Sequence, residues 1–464
     1  MNIPRRYESL QDFIALLEQH GELHRVRTTV SADQEIAALT DRVAKRKGGG
    51  PGLLFEQVDN YNWSSATNLF GSLQRCAWAA GVEQLAELSQ RFEFDLRGCA
   101  KKTAARRLER LVNVSGLQPF IVDAPTCREV VAAHIDLTTI PLLRNFPDDG
   151  GSYLTLAQVF TDNPVTRRNN CGIYRVQLVD PTHLAIHWHD GSDGANNFRA
   201  YSDSGKKMPI AIALGGDPAL LFSAAMKLPE TVDETVFASY LRAAPLGMTP
   251  CLSHQLRVPA SAEVVLEGEV VTDAGFIEGP YGNHTGSYQP EHRCPLIHIT
   301  HLSHRHRPII PATIIGRPPT ENCYLGKVIE RLILPLLKID HPALHDLCMP
   351  LEAVFHGCAL VSIKASTAVS VLSLAQDILD GPWLRGVRLL VVFDQDVNVH
   401  DPSMCFWQAI NHLDINDDNI KIGAARIFDA TRKATDGAPC RRSPAIEQLV
   451  TRRLEDYGLR EIME

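Results

Sequence analysis

Of the chain's 464 residues, no apolar run approaches the ~18 residues that a helical membrane span requires, so no membrane span is expected. The chain also lacks paired cysteines. Its eleven, at 76, 99, 127, 171, 251, 294, 323, 348, 358, 405 and 440, show no C-x-x-C spacing and are odd in number. That pattern argues against a disulfide scaffold and for a reduced protein. The first residues contain no continuous apolar stretch of the secretory kind, and a cytoplasmic location is expected. There is no surplus of basic charge. A formal net charge of −8 and a pI of about 6.1 speak against a dedicated nucleic-acid binder, which needs cations to neutralise phosphates. Absent too are His-Glu-x-x-His, Gly-x-Ser-x-Gly and Gly-x-Gly-x-x-Gly, which weakens protease, esterase and Rossmann dehydrogenase readings.

What is present reads as an ordinary globular chain, 45% hydrophobic and 22% charged, long enough for several cores. Leu10, Phe13, Ile14 and Leu17 recur at helical spacing behind Ser9 and Asp12, a short capping pattern, and Gly21 fits the stop. A second helix is expected over 33–46, then a glycine-rich loop, then a strand at Leu53-Leu54-Phe55. From about 120 to 315 short β-rich runs dominate: 173–179, 183–187, 210–214, 263–271 and 296–302. Gly, Pro, Asn and Asp separate them, the pattern of an antiparallel sheet or barrel. Asp217-Pro218 opens one interrupting helix, and another lies near 233–242. Beyond 316, helices alternate with buried strands such as Leu389–Phe393, and the chain closes with a helix carrying Ile446, Leu449 and Leu454.

The most informative stretch is Glu278-Gly279-Pro280-Tyr281-Gly282-Asn283-His284-Thr285-Gly286-Ser287-Tyr288. It sets a carboxylate, an amide and an imidazole on one turn at the end of a β run. Asn169-Asn170-Cys171-Gly172-Ile173-Tyr174-Arg175 puts an amide and a guanidinium five residues apart at the start of a strand. His187-Trp188-His189, Met226-Lys227-Leu228-Pro229 and Glu234 follow. An amide, an imidazole and a carboxylate suit Mn2+ or Mg2+ holding a phosphate, although spacing alone does not show that they converge. Asp394-Gln395-Asp396-Val397-Asn398 imitates half a calcium loop. The sixth and twelfth positions hold Val399 and Cys405, so the calcium reading fails and a helix cap is expected there. Six histidines lie between 284 and 306. His304-Arg305-His306-Arg307 reads as the exposed tip of a hairpin rather than a metal site.

Taken in order, these segments resemble the UbiD family of decarboxylases, which use prenylated FMN. The resemblance also rests on Leu10-Gln11-Asp12-Phe13, Gly21-Glu22-Leu23, Gly52-Leu53-Leu54-Phe55-Glu56 and Asn68-Leu69-Phe70-Gly71. Further on it takes in Leu214-Gly215-Gly216-Asp217-Pro218, Val258-Pro259-Ala260 and Gly316-Arg317-Pro318-Pro319. It implies a mixed fold: an N-terminal α/β region over 1–118, a split β-barrel of the flavin-reductase kind that binds the cofactor over 119–315, and a C-terminal α/β domain for self-association over 316–464. It implies Asn170, His189 and Glu234 as ligands of Mn2+ or Mg2+ bridging to the cofactor phosphate, with K+ as an optional second ion. Ile173, Tyr174, Arg175, His187, Trp188 and Met226 would line the flavin, and Arg175, Glu278 and Asn283 would face the reacting carboxylate, Arg175 gripping it bidentately.

Asn283 stands where many members carry an acid, and an amide cannot deliver a proton as a carboxylic acid does. The family's phosphate-contacting lysine has no clear counterpart, with Lys421 and Arg426 as substitutes. The implied partners are a small aromatic or heteroaromatic acid (pyrrole, furan or hydroxybenzoate type), CO2, a flavin prenyltransferase of the UbiX type as cofactor supplier, and further copies of the chain as a homodimer or larger oligomer. A non-catalytic, cofactor-binding subunit of a larger assembly is the alternative. A flavin reductase is disfavoured because no nicotinamide-binding fingerprint is present.

Overall fold

A computed structural model describes residues 7–99, 102–354, 357–364, 370–384, 386–414, 416–433, 436–437, 440 and 442–459. At its centre six antiparallel strands close into a barrel: β1 (Tyr153–Asp162), β2 (Asn169–Asp180), β3 (His183–Ile186), β4 (Met208–Leu214), β5 (Val264–Glu278) and β6 (His292–His304). Around the barrel the order is β5-β4-β1-β2-β3-β6, and the pairing of β5 with β6 closes it. Closure removes the edges that an open sheet would expose. The side-chain alternation of the strands explains the burial. Leu154, Val176, Leu184, Ile212, Val264 and Ile297 fill one core, while Phe160, Cys171, Ala213 and Val265 pack on a second core shared with the helices.

Four parallel and antiparallel strands, Leu23–Val26, Gly52–Phe55, Ser64–Thr67 and Ile309–Ala312, form a sheet to one side. The last of these comes from beyond the barrel, so the chain returns to the N-terminal region after β6. This return accounts for a departure from expectation: residues 304–307 are the crossover between two sheets and not the tip of a hairpin. There His304 packs on Trp63, with ring centroids 4.7 Å apart, and Arg305 reaches the buried Glu263.

The first helix runs Leu10–Gln19, capped by the Ser9 hydroxyl, which accepts from the Asp12 N–H; Leu10, Phe13, Ile14 and Leu17 are buried. A long helix, Glu321–Asp340, packs against Leu85–Arg97 and against the C-terminal sheet. That sheet has the order 344–348, 358–363, 389–394, 425–429, 419–422, and its three middle strands are parallel. Asp394 and Asp396 cap no helix; both bind Arg432. Among the described residues no helix is long and apolar enough to cross a membrane.

Candidate active site

Two clusters form along β2. Arg175 lies on the same face as Cys171 and Ile173, while Asn170, Gly172 and Tyr174 lie on the other. Arg175 meets Glu278, the last residue of β5, in a two-point ion pair: Nε donates to Oε1 and Nη2 to Oε2, both at 2.9 Å. Glu278 is fully buried. Arg175 Nη1 donates to Gln289 Oε1 at 2.7 Å, and its guanidinium carbon sits 4.4 Å from the Tyr281 ring centre. His187 Nδ1 lies 3.0 Å from Glu278 Oε2 and 3.1 Å from Arg175 Nη2. One nitrogen cannot donate to the acid and accept from the arginine together, so the ring's tautomer sets which bond forms. Cys294 Sγ is 3.5 Å from the same nitrogen.

Burial alone would push the Glu278 carboxyl up. The hydrogen bonds from His187 and Arg175, and their charge, outweigh it and hold it at about 2. Burial pushes the Cys294 thiol up to about 12. The edge of Arg175 expected to grip a substrate carboxylate is therefore already filled by Glu278. At least one Nη1 N–H remains, beside Gln289.

The loop after Glu278 is held from behind. Gly279 N donates to Gln177 Oε1 at 3.0 Å and Gly282 N to Asp149 Oδ1 at 2.8 Å. Asn283 Oδ1 accepts from the Thr285 N–H at 2.8 Å and from its hydroxyl at 2.6 Å, a local Asx turn. That locks the oxygen and points the NH2 group away as a donor. Among the described residues no hydrogen bond joins Asn283 to Arg175 or Glu278.

The second cluster is Asn170 and Glu234, which share a cavity of about 240 Å3 with Thr161, Asp233 and Arg257. Asn170 Nδ2 donates to Thr161 Oγ1 at 3.2 Å, and Glu234 Oε2 accepts from the Cys171 N–H at 3.2 Å. Burial, with Asp233 and Asp193 adding to it against two backbone N–H groups, pushes Glu234 up to about 8. A buried carboxylate among other acids is short of a cation, and the amide-plus-carboxylate donor set suits a hard divalent ion. His189 is not in this group: it is exposed, and its ring packs 5.1 Å from that of His187. Lys421 and Arg426 face each other on the outer hairpin of the C-terminal sheet and do not line this cavity.

Beside these clusters two glycines let aromatic side chains of the protein pack closely. A Cβ at Gly172 would fall 2.5 Å from the Tyr174 ring, and one at Gly194 2.5 Å from Trp188 Nε1. Trp188 Nε1 is buried with no partner. Met226 ends the helix Pro218–Ala225 and is buried with Ile173 packed on the same core. The amide–carboxylate pair of Asn170 and Glu234 suits a hard cation, and the unpartnered Trp188 N–H is a donor open to a bound polar group.

Three consecutive family models match the chain. Residues 14–93 match the N-terminal domain of 3-octaprenyl-4-hydroxybenzoate carboxy-lyase, 121–318 its Rift-related domain and 323–439 its C-terminal domain. The chain belongs to the UbiD family of carboxy-lyases. An uncharacterised protein of Aquifex aeolicus is 35% identical over 465 residues, covering 96% of each chain. One from Archaeoglobus fulgidus is 38% identical over 411 residues, 88% of this chain and 85% of its own.

Among solved structures, an evolved dimeric form of the UbiD-class enzyme HmfF from Pelotomaculum thermopropionicum, in complex with prFMN, superposes with a TM-score of 0.82. It is 24% identical and covers 97% of this chain and 100% of its own. The closed form of vanillic acid decarboxylase from Sedimentibacter hydroxybenzoicus gives 0.84, at 24% identity and 99% of both chains. These likenesses establish the fold.

In this UbiD-family chain the sequence pattern did not reveal Gln289, Cys294, Asp149, Gln177 or Arg257. Gln289 and Cys294 had one available signal: both follow the Glu278 loop where β6 returns beside β5, opposite Glu278 through the Glu278–His292 pairing. Asp149 and Gln177 had none, because their contacts span more than a hundred residues of sequence.

Proposed function

We propose that this UbiD-family chain catalyses the reversible, non-oxidative decarboxylation of an aromatic or heteroaromatic carboxylic acid, of the pyrrole, furan or hydroxybenzoate type, with prenylated FMN. The observation that carries this reading is the buried Arg175–Glu278 pair with one arginine N–H left beside Gln289. It is a carboxylate-binding group next to a proton carrier. The names of the structurally similar HmfF and vanillic acid decarboxylase support the cofactor and the substrate class.

Asn170 and Glu234 would hold Mn2+ or Mg2+ against the cofactor phosphate, with Arg257 at the mouth of the same cavity. His189 is the proposed third ligand. Asn170 and Arg175 lie five residues, roughly 17 Å, apart along the one strand β2. Bound prenylated FMN supplies an electron sink for the substrate carbon.

The chain's own residues do the rest. The substrate carboxylate takes Arg175 Nη1 in place of Gln289 and draws the guanidinium from Glu278. A buried carboxylate that loses its cation rises in pKa and takes up a proton, with His187 as the neighbour that passes it. Glu278 then delivers that proton to the ring carbon that has released CO2. The Asn283 NH2, fixed by its turn, is a donor to a ring heteroatom or hydroxyl. Self-association is proposed through the C-terminal region, where Phe406, Trp407 and Ile410 lie exposed on the helix Pro402–His412.

The test is co-expression with a flavin prenyltransferase, followed by absorption and mass spectra of the purified protein. Prenylated flavin is expected. A protein that takes up only unmodified flavin, or none, overturns the reading.

A further inference from the structure

Cys251, His254 and Glu267 form a third group that shares no residue with the two clusters above. Their ligating atoms all lie within 4.8 Å of one another. Cys251 and His254 sit on the turn between the strands Gly247–Pro250 and Arg257–Pro259, and Glu267 comes from β5. Cys251 and Glu267 are buried.

The histidine is the decisive residue. Its Nε2–H donates to the Ile210 carbonyl at 3.1 Å, which leaves Nδ1 as a bare lone pair. Nδ1 is buried and has no hydrogen-bond partner. An unpaired buried acceptor costs about 1–3 kcal/mol, so a fold that keeps one calls for an explanation. Metal-binding histidines are held in this way, one nitrogen donating to a carbonyl and the other free for the ion. Glu267 is fixed as well. Oε1 accepts from the Leu252 N–H at 3.0 Å, and Oε2 from the Ser253 N–H at 2.9 Å and its hydroxyl at 2.8 Å. Three donors on roughly four lone-pair sites leave one, on Oε1. Capping the turn accounts for the glutamate but not for the unpartnered imidazole nitrogen.

We propose that Cys251 Sγ, His254 Nδ1 and Glu267 Oε1 bind Zn2+, stapling the 251–256 turn to the barrel wall. Sulfur and imidazole donors select zinc over Mg2+, Mn2+ or Ca2+. Water fills the fourth position, and the Cys251 thiol proton leaves to solvent as the ion binds. The staple has a consequence that rests on the proposed function. Leu256 and Arg257, the next residues along, line the cavity of Asn170 and Glu234, so the ion fixes a cation at the mouth of the phosphate site.

The test is the metal content of the full chain and its Cys251→Ser and His254→Ala variants, with Glu234→Ala as the control. About one zinc per chain is expected in the unsubstituted protein and in Glu234→Ala, and little in the other two. In parallel, chelator-stripped unsubstituted protein is titrated with Co2+ alone. Thiolate-to-cobalt charge-transfer absorption is expected, and Cys251→Ser should lack it. An unsubstituted chain that takes up neither ion, or variants that retain zinc in full, overturns the proposal. Cys294→Ser, in the other Cys–His–Glu group, should keep the cobalt band, and a band lost there but kept in His254→Ala overturns the proposal. Loss of zinc in Glu234→Ala, with none lost in Cys251→Ser, would place the ion at the other cavity and overturn it equally.

Discussion

At the scale of single residues, two carboxylates are pushed in opposite directions, and each sets a pH window. Glu278 is held at about 2 against an ordinary 4.5, burial being outweighed by His187 and Arg175. Its pair therefore contributes stability that is present above about 4.5 and lost as pH falls through about 2. Glu234 is raised to about 8, chiefly by burial, so in the metal-free protein its contribution is full below about 4.5 and lost as pH rises through about 8. A cation reverses that preference because it needs the carboxylate. Mn2+ affinity of the apoprotein, followed by calorimetry, should rise about tenfold per pH unit up to about 8 and then level, with roughly one proton released per ion. A flat profile would separate Glu234 from the ion.

Asn283→Asp is a clean substitution, since an aspartate oxygen still accepts from Thr285 and keeps the turn while the NH2 donor is lost. Turnover of pyrrole- or furan-type acids should fall at least tenfold without loss of thermal stability. Unchanged rates across a panel of such acids and hydroxybenzoates would remove Asn283 from the site. The motifs that carry Asn170, Arg175, Glu234 and Glu278 are local and stand out in the sequence, whereas the meeting of Asn170 with Glu234 in one cavity does not follow from their spacing. Gln289 was not legible there, since its place depends on how the chain folds back after the Glu278 loop, where it pairs with Tyr281.

At the scale of elements, a helix cap carries one wall of the Asn170–Glu234 cavity. Asp233 Oδ1 accepts from the Thr235 N–H at 2.8 Å and opens the helix Glu234–Leu241, so the proposed ligand is its first residue. Asp233→Ala should cost about 1 kcal/mol of stability and loosen metal retention. Asp217 caps the neighbouring helix in the same way but also holds the buried Arg242 at 2.6 Å. Asp217→Ala should cost more, about 3–5 kcal/mol, and leave metal content unchanged. Melting curves with metal analysis test the pair, and equal metal loss in both would refute the distinction. Both helices announce themselves by Asp at the cap. The helix Asp193–Asp203 does not, because its stripe is weak and its Gly194 is kept for the approach of Trp188. The misread turn at 304–307 has a topological cause, since a crossover and a hairpin tip share the same polar composition.

At the scale of the whole molecule, the barrel was legible from its spaced β runs, and its closure by β5 and β6 was not, because those strands read alike in an open sheet. The apolar Phe406, Trp407 and Ile410 stand 69%, 55% and 64% exposed on one helix, more than a lone soluble chain ordinarily shows on a single face. Phe406→Glu with Ile410→Glu should shift the protein from dimer or larger oligomer to monomer in analytical ultracentrifugation, and an unchanged sedimentation profile would place self-association elsewhere.

The central claim is that Arg175 and Glu278 exchange CO2 with an aromatic acid on a flavin held by this barrel. The most direct measurement is exchange of isotopically labelled bicarbonate into a panel of pyrrole, furan and hydroxybenzoate acids by the flavin-loaded protein and its Glu278→Gln variant. Label should enter at least one acid with the unsubstituted chain. In the variant, which keeps its flavin, the rate should fall by about 10²–10⁴. No exchange into any acid by fully loaded protein, or a variant that exchanges within tenfold of the unsubstituted chain, would contradict it.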